Sequence, residues 1–424
     1  MQKKIIALAV AGLVSGAAFA QSNVTIYGVA DVGVAQSKAA NGSQFRVQSG
    51  QSAGSRLGFK GEEGLGNGLK AVWTMEMGLD MTTGQSTCHS MNDNGCGTST
   101  GTTNNNNPQA NPANATNNTT GTSVFQRQVF AGLSSATLGT VTIGRQYTAD
   151  FYVKAKSDVF GLGYAGTANN AWAVSSAFLY DRLDRALQYQ TPTWNGFQAM
   201  VQYSTGSQNN TDTSTTAGVV PENQGKQWGL NATYTGYGFD VGASYHKLNA
   251  LAANNAVTAG LIANSAVLPA TMTDTPDTNA WMIGGNYDFK VAKVYAGYAA
   301  SKTTTHYTAA SGGDTVTQKY GFWNLGVKVP FGAHSVFAQY SRINDKTSTN
   351  ADANLWGLGY EYAMSKRTAL YAGYAKMDNG NNATYSLGAT ATNNGLRMVN
   401  NDGTTTGLAG RNASEFNFGV RHSF

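Results

Sequence analysis

The residue types that carry enzyme chemistry are present in this chain but not at working spacings. Its five histidines, His89, His246, His306, His334 and His422, are scattered along the chain. None shows the His-Glu-x-x-His spacing that sets two zinc ligands on one helix face. Gly64-Leu65-Gly66-Asn67-Gly68 is glycine-rich. It lacks the Lys-Ser/Thr pair of a phosphate-binding loop and reads as a hairpin turn. No serine stands in a strand-to-helix nucleophile turn. Acid pairs such as Asp181 and Asp184 read more simply as wall charges than as a general acid and base. Cys88 and Cys96 would close a small loop, and a disulfide is the expected reading. The rival is a metal site with His89, but two thiolates and one imidazole are an incomplete tetrahedral set. No catalytic residue, metal or cofactor is expected. A cluster of arginines would do a different kind of chemistry, because guanidinium groups stay charged and concentrate anions.

The elements that would position such groups are strands. Charged residues make up only 12% of the chain, while glycine contributes 51 of 424 residues and tyrosine 21. Alternation of period two recurs throughout. Leu69, Ala71, Trp73, Met75 and Met77 share one face, against Lys70, Thr74 and Glu76 on the other. Phe197, Ala199, Val201 and Tyr203 likewise oppose Gln198, Gln202 and Ser204, and Phe416, Phe418 and Val420 oppose Glu415, Asn417 and Arg421. Sixteen such segments can be drawn, centred near 29, 56, 74, 129, 143, 186, 200, 231, 242, 284, 297, 325, 339, 358, 372 and 419. Helical periodicity is expected only inside 149–180.

Connections alternate between short and long. Short ones carry turn residues such as Gly66-Asn67-Gly68 and Trp194-Asn195-Gly196. Long ones, near 36–50, 80–122, 148–180, 205–226, 247–278, 302–318, 343–353 and 377–413, are rich in Asn, Thr, Ser and Gly. This is the pattern of an all-β, 16-stranded antiparallel transmembrane β-barrel with short periplasmic turns and long external loops. Hydrocarbon tolerates no open sheet edge, so the sheet must close. Sixteen strands enclose more space than side chains fill, which leaves an aqueous channel. Residues 1–20, with Lys3 and Lys4, an apolar middle and Ala18-Phe19-Ala20, read as a cleaved signal peptide, leaving a barrel domain over 21–424. Beyond it no run approaches the length of a helical span. Removing the leader lowers the net charge from +5 to +3. That is too little and too dispersed for a nucleic-acid partner.

Several segments resemble the trimeric general porins of Gram-negative bacteria, in their β-proteobacterial and neisserial branch. Val24-Thr25-Ile26-Tyr27-Gly28-Val29-Ala30-Asp31 is similar to the family's first strand, and Ser55 to Ala71 to its second hairpin. Gly144-Arg145-Gln146-Tyr147 resembles the strand entering the constriction loop. Ser365 to Tyr371 and Phe418 to Phe424 resemble a late periplasmic turn and the closing strand. The resemblance covers essentially the whole mature chain. It departs from the family at Gly64, and at Arg182-Leu183-Asp184-Arg185-Ala186, which stands for a family segment Arg-x-Asp-Asn-Ser.

The resemblance implies an outer-membrane homotrimer for passive diffusion of ions and small hydrophilic solutes, with a third loop, about 148–180, folded into the barrel. A substrate-specific channel on the same fold is the alternative. Asp150 and Asp158 are the loop's expected constriction acids. The resemblance also implies wall arginines facing that loop, and strand parity selects Arg56 and Arg182. Arg127 has ambiguous parity and is kept because an arginine in lipid is costly. Arg145 has the wrong parity unless a bulge intervenes, and Arg185 points outward. Lys60, Lys70 and Lys328 would strengthen a mild anion preference from the wall, while Glu62, Glu76 and Asp31 would oppose it. Phe424 resembles the terminal signal read by the outer-membrane assembly machinery. The small aliphatic outer face of the first strand, Val24, Ile26, Gly28, Ala30 and Val32, suits a subunit contact; the other outward faces suit outer-membrane lipid.

Overall fold

The computed structural model describes residues 23–40, 42–86, 124–175, 177–178, 181–206, 226–249, 272–307, 309–387 and 408–424. The expected leader and Cys88 and Cys96 lie outside these residues.

Seventeen strand segments form one antiparallel ring: β1 (Asn23–Ala39), β2 (Gly42–Ser49), β3 (Arg56–Gly66), β4 (Leu69–Gly78), β5 (Gln128–Ser135), β6 (Gly139–Tyr147), β7 (Arg182–Gln190), β8 (Phe197–Ser204), β9 (Gln227–Gly236), β10 (Phe239–Asn249), β11 (Met272–Asp288), β12 (Lys293–Tyr307), β13 (Thr315–Phe331), β14 (His334–Asp345), β15 (Ala353–Ala363), β16 (Thr368–Asn379) and β17 (Ala413–Ser423). The barrel has sixteen staves, because β2 and β3 are two pieces of one. β2 pairs with Val32–Ala39 of β1, and β3 pairs with Asn23–Val29. Each expected segment centre falls within a strand. The ring closes where β1 pairs with β17, from Val29 opposite Ser423 to Lys38 opposite Ser414. Beyond that ladder, Gly28 and Phe424 exchange two backbone hydrogen bonds of 3.0 and 3.1 Å.

Alternation sorts the side chains as the sequence requires. Leu187, Val201, Leu230, Trp281, Leu325 and Phe418 stand exposed on the outer wall. Gln188, Gln202, Asn231, Asn324, Gln339 and Asn417 face inward and are buried. A water-soluble barrel would not show so continuous an apolar exterior. Short turns gather at the end that holds both termini. At Asn67-Gly68 and Asn195-Gly196 both residues have positive φ, the geometry that suits a two-residue hairpin.

Two connections are shorter than expected. Of 302–318, residues 302–307 belong to β12 and 315–318 to β13. Residues 36–50 are mostly strand rather than a long loop, since β1 continues to Ala39 and β2 begins at Gly42. This tip carries Gln36, Lys38, Ser43 and Gln44. It is polar on both faces, so no period-two signal marks it.

Candidate functional site: the constriction between the inward loop and the wall

Between β6 and β7 the chain enters the barrel. Helix α1 (Ala149–Ser157) begins at the N-cap Thr148, whose hydroxyl accepts from the Phe151 amide. It packs against the inner faces of β8 to β12. A short helix α2 (Asn169–Trp172) follows and touches β14. The loop's apolar residues are thereby covered: Val153, Phe160, Trp172 and Phe178 are all buried.

Wall amides hold this loop in place. Gln202 Nε2 donates to the Tyr147 carbonyl (2.6 Å) and Asn231 Nδ2 to Ala149 (2.8 Å). Asn286 reaches the Lys156 carbonyl (2.8 Å) and Asn324 that of Ser157 (2.7 Å). Gln339 donates to Asp158 Oδ1 (2.6 Å) and accepts from the Val159 amide (3.2 Å). The last carbonyls of α1 have no helical partner of their own, and the wall supplies one. At a net ~1 kcal/mol per bond, such a ladder holds the loop against thermal undocking. Of these five, the sequence alternation places only Gln202 on a named inward face. It gives no sign of what they hold.

The expected constriction acids are used inside the loop. Asp150 is 1% exposed and pairs with Lys154 at 3.1 Å, and Lys154 also meets Asp181 (3.1 Å) and the Phe178 carbonyl (2.8 Å). Burial alone would raise the Asp150 carboxyl, but Lys154 and then His246 bring it below the ordinary range. Burial alone would lower Lys154, but Asp150 and Asp181 hold it above its usual value. Asp158 is also 1% exposed. It accepts from the Leu162 amide (2.7 Å), the Thr167 hydroxyl (2.7 Å), the Ala168 amide (2.9 Å) and Gln339. Burial pushes its carboxyl up. Neither acid is presented to the opening, because the loop needs both to close on itself. Lys156 pairs with Asp240 on the wall.

What stays open is a cleft of about 390 Å³ between the loop at Gly161–Gly163 and the wall at Tyr27, Arg56, Glu76, Arg127, Tyr147 and Arg182. The three arginines ranked by sequence converge here. Arg127 Nε donates to Glu76 Oε1 at 2.6 Å, and its Nη2 to the Tyr147 hydroxyl at 3.1 Å. Arg182 lies over the Tyr147 ring, 4.7 Å from its centroid, and donates to the same hydroxyl at 3.3 Å. Arg56 stands 3.6 Å from Glu76 and donates to the Gly54 carbonyl at 3.0 Å. The Tyr27 hydroxyl donates to Glu76 at 3.0 Å, and the Tyr147 ring stacks on Phe151 at 3.8 Å. These aromatic residues hold the guanidinium planes in position, and sequence reasoning gave them no such part.

The ambiguous parities resolve locally. Arg127 precedes the first residue of β5, so its side chain is free of the strand's alternation and turns inward. The β6–β7 register slips between Gly144 and Gln146, so that Asp184 and Arg185 together oppose Arg145. This bulge buries Arg145 against Asp184 (2.5 Å) and the Gln126 carbonyl (2.5 Å). It leaves Arg185 exposed, with its Nη1 on the Gly206 carbonyl. The departure from the family's motif falls on Arg185, which is exposed, and Ala186, which is buried, while Asp184 of the ion pair keeps the motif's residue.

Of the wall lysines, Lys60 sits 5.5 Å above the Tyr27 ring, Lys328 sits 5.2 Å above that of Phe337, and Lys70 pairs with Glu62 at 2.8 Å. Asp31 is not a lumen charge. It is fully buried and surrounded by donors, so the expectation that it opposes anions is corrected.

A closed, apolar-coated barrel narrowed from within by a charged loop has the form of a diffusion channel. The sequence matches the Gram-negative porin family over residues 7–382. The chain belongs to that family. The porin is 29% identical to an outer membrane porin protein of Bordetella pertussis, over 89% of this chain and 94% of the relative. It is 28% identical to outer membrane porin protein 32 of Delftia acidovorans across the full length of both. Among solved structures it is similar in fold to an anion-selective porin from Comamonas acidovorans, with a TM-score of 0.69 and 23% identity, covering 95% of this chain and 100% of that one. As a porin it spans the outer membrane many times and forms a water-filled channel for passive diffusion of ions and small hydrophilic solutes.

Proposed function

We propose that this porin prefers anions, and that Arg56, Arg127 and Arg182 carry the preference. The observation that supports this reading is their convergence on one cleft with a single wall carboxylate, Glu76. Asp181 also borders the cleft, but it is engaged by Lys154. The five charged groups that line the cleft, Arg56, Arg127, Arg182, Glu76 and Asp181, leave it at +1. Rings of fixed charge at a narrow point set the ion selectivity of a channel. The related Comamonas porin, described as anion-selective, is consistent with this reading. Asp150 and Asp158 act by holding the loop, and Lys60 and Lys328 add positive charge along the wall, while the charge of Lys70 is offset by Glu62. The reading is a channel rather than an enzyme.

We also propose the homotrimer. Aromatic ring contacts run in an outer girdle from β9 to β15, through Trp228–Tyr245, Trp281–Tyr298, Trp323–Tyr340 and Tyr340–Trp356. On β1, β5 and β6 the exposed large residues along the wall are aliphatic instead: Val24, Ile26, Val129, Leu133, Val141 and Ile143. An aromatic belt marks contact with the lipid interface, and an arc without it suits another copy of the chain. Phe424 is read as the assembly signal. Its ring lies across Gly28 at the seam, where a methyl on Gly28 would come within 2.3 Å of it.

The test is a variant with Arg56, Arg127 and Arg182 all changed to Gln, recorded in planar bilayers. Loss of anion preference with channel steps retained is expected. Unchanged selectivity overturns the assignment.

A further inference from the structure

Between β2 and β3 the stave breaks, and residues 50–55 turn inward to meet the constriction loop. The Tyr164 amide donates to the Gln51 carbonyl at 2.5 Å. Gly163 lies so close that a methyl on it would stand 1.8 Å from the Ser52 carbonyl oxygen. Gly54 and Arg56, at the far end of the break, face Gly161–Gly163 across the cleft. The break is thus one jaw of the constriction and the loop is the other.

One buried carboxylate organises that jaw. Asp31 Oδ1 accepts from the Gln51 amide (3.0 Å) and the Tyr371 hydroxyl (2.6 Å). Its Oδ2 accepts from the Ser52 amide (3.2 Å) and the Ala53 amide (2.9 Å). Three consecutive backbone N–H groups thus converge on one anion, a nest of the kind that binds anions in loops. Ser55 Oγ adds bonds to both the amide (3.0 Å) and the carbonyl (2.8 Å) of Asp31, and Arg421 donates to Ser52 Oγ at 2.6 Å. On the loop side, Leu162 and Tyr164 hold left-handed backbone conformations, with φ of 63° and 59°. Such conformations persist only where neighbours over-determine them, and the Gln51 carbonyl is one of those neighbours.

We propose that Asp31 is a positioning residue for conduction. Its carboxylate fixes the inward break 50–55, and the break fixes the tip of the constriction loop and so the width of the cleft. The inference rests on the reading of that cleft as the constriction, but not on the charge preference assigned to it. All four donors point at two oxygens, so an isosteric amide fails. Asp31→Asn would place an NH₂ group against N–H or O–H donors on one side.

The experiment uses the full-length porin carrying Asp31→Asn, folded as judged by heat-modifiable migration, in planar bilayers. Losing bonds to a charged acceptor raises the undocked population of the jaw by about tenfold. The expected result is loss of the single steady open level, increased open-channel noise, and entry of larger neutral polyethylene glycols, with the sign of ion selectivity unchanged. A merely structural role at the seam would lower yield or thermal stability without altering noise or polymer cut-off in the channels that form. Gly163→Ala is the second variant, since it forces the two jaws apart without touching Asp31. It should reproduce the noise and the cut-off shift even where Asp31→Asn fails to fold. Wild-type noise and cut-off in folded Asp31→Asn, or in Gly163→Ala, overturn the proposal. Unchanged selectivity in the triple arginine variant would overturn the charge assignment and leave this proposal standing, so the two readings fail separately.

Discussion

Changing Glu76 to Gln should make the porin more anion-selective. Glu76 is the wall acid of the cleft, 2.6 Å from Arg127 and 3.6 Å from Arg56. Gln keeps the shape and can still accept from one arginine, so the perturbation is mainly the loss of one negative charge. The cleft then goes from +1 to +2. An anion passing at ~6 Å gains about 0.7 kcal/mol in water, or about 0.4 kcal/mol once screened at ~0.1 M salt. A cation loses the same amount. The permeability ratio of chloride to potassium should therefore rise by about four- to tenfold at low salt. At ~1 M salt the Debye length falls to ~3 Å and most of the effect should vanish. The assay is the zero-current potential across a KCl gradient, measured at both concentrations. A low-salt ratio that is unchanged, or that moves toward potassium, would refute the claim that this cleft sets selectivity.

Three further outcomes follow from the same geometry. Asn324→Leu removes the donor to the Ser157 carbonyl and should cost about 1–3 kcal/mol of loop docking, seen as faster proteolysis within 149–180 while the barrel stays heat-modifiable. The loop root should also depend on pH at both extremes. Asp150 is lowered in the folded state, so its contribution is present above the ordinary carboxylate value of ~4 and is lost as pH falls below that. Lys154 is raised, so its contribution is present below ~10.4 and is lost as pH climbs through the raised value. Channel noise that is flat across this window and rises beyond both ends is the expected profile; noise that rises near neutral pH contradicts it. Deleting Phe424 should reduce the folded porin recovered from outer membranes, while protein refolded in detergent conducts normally. Equal recovery from membranes would leave Phe424 only a belt residue.

The barrel was legible because lipid imposes period-two alternation on every stave that crosses it, from Leu69–Met77 to Phe416–Val420. That signal ends where the wall rises above the lipid, which is why the hairpin tip at Gln36–Gln44 reads as loop. Parity correctly turned Arg56 and Arg182 inward. It could not decide Arg127, which stands outside its strand, or Arg145, which faces a bulge that a periodic pattern does not encode. Asp150 and Asp158 were recognisable as loop acids, but not as buried ones. Their partners, Lys154, Thr167 and Gln339, come together only once the loop is docked. The amides that hold the loop come from Gln202, Asn231, Asn286, Asn324 and Gln339, on five different strands. Asp31 likewise reads as an inward charge, and only the break at 50–55 reveals that it faces backbone donors rather than water.

The most direct measurement on the central claim is the zero-current potential of the unmodified porin in a planar bilayer, across a low-salt KCl gradient, with single insertions recorded. A potential of the anion-selective sign, with channels closing in three equal steps, is the predicted result. A potential of the cation-selective sign from open, correctly folded channels would contradict the assignment of the three arginines.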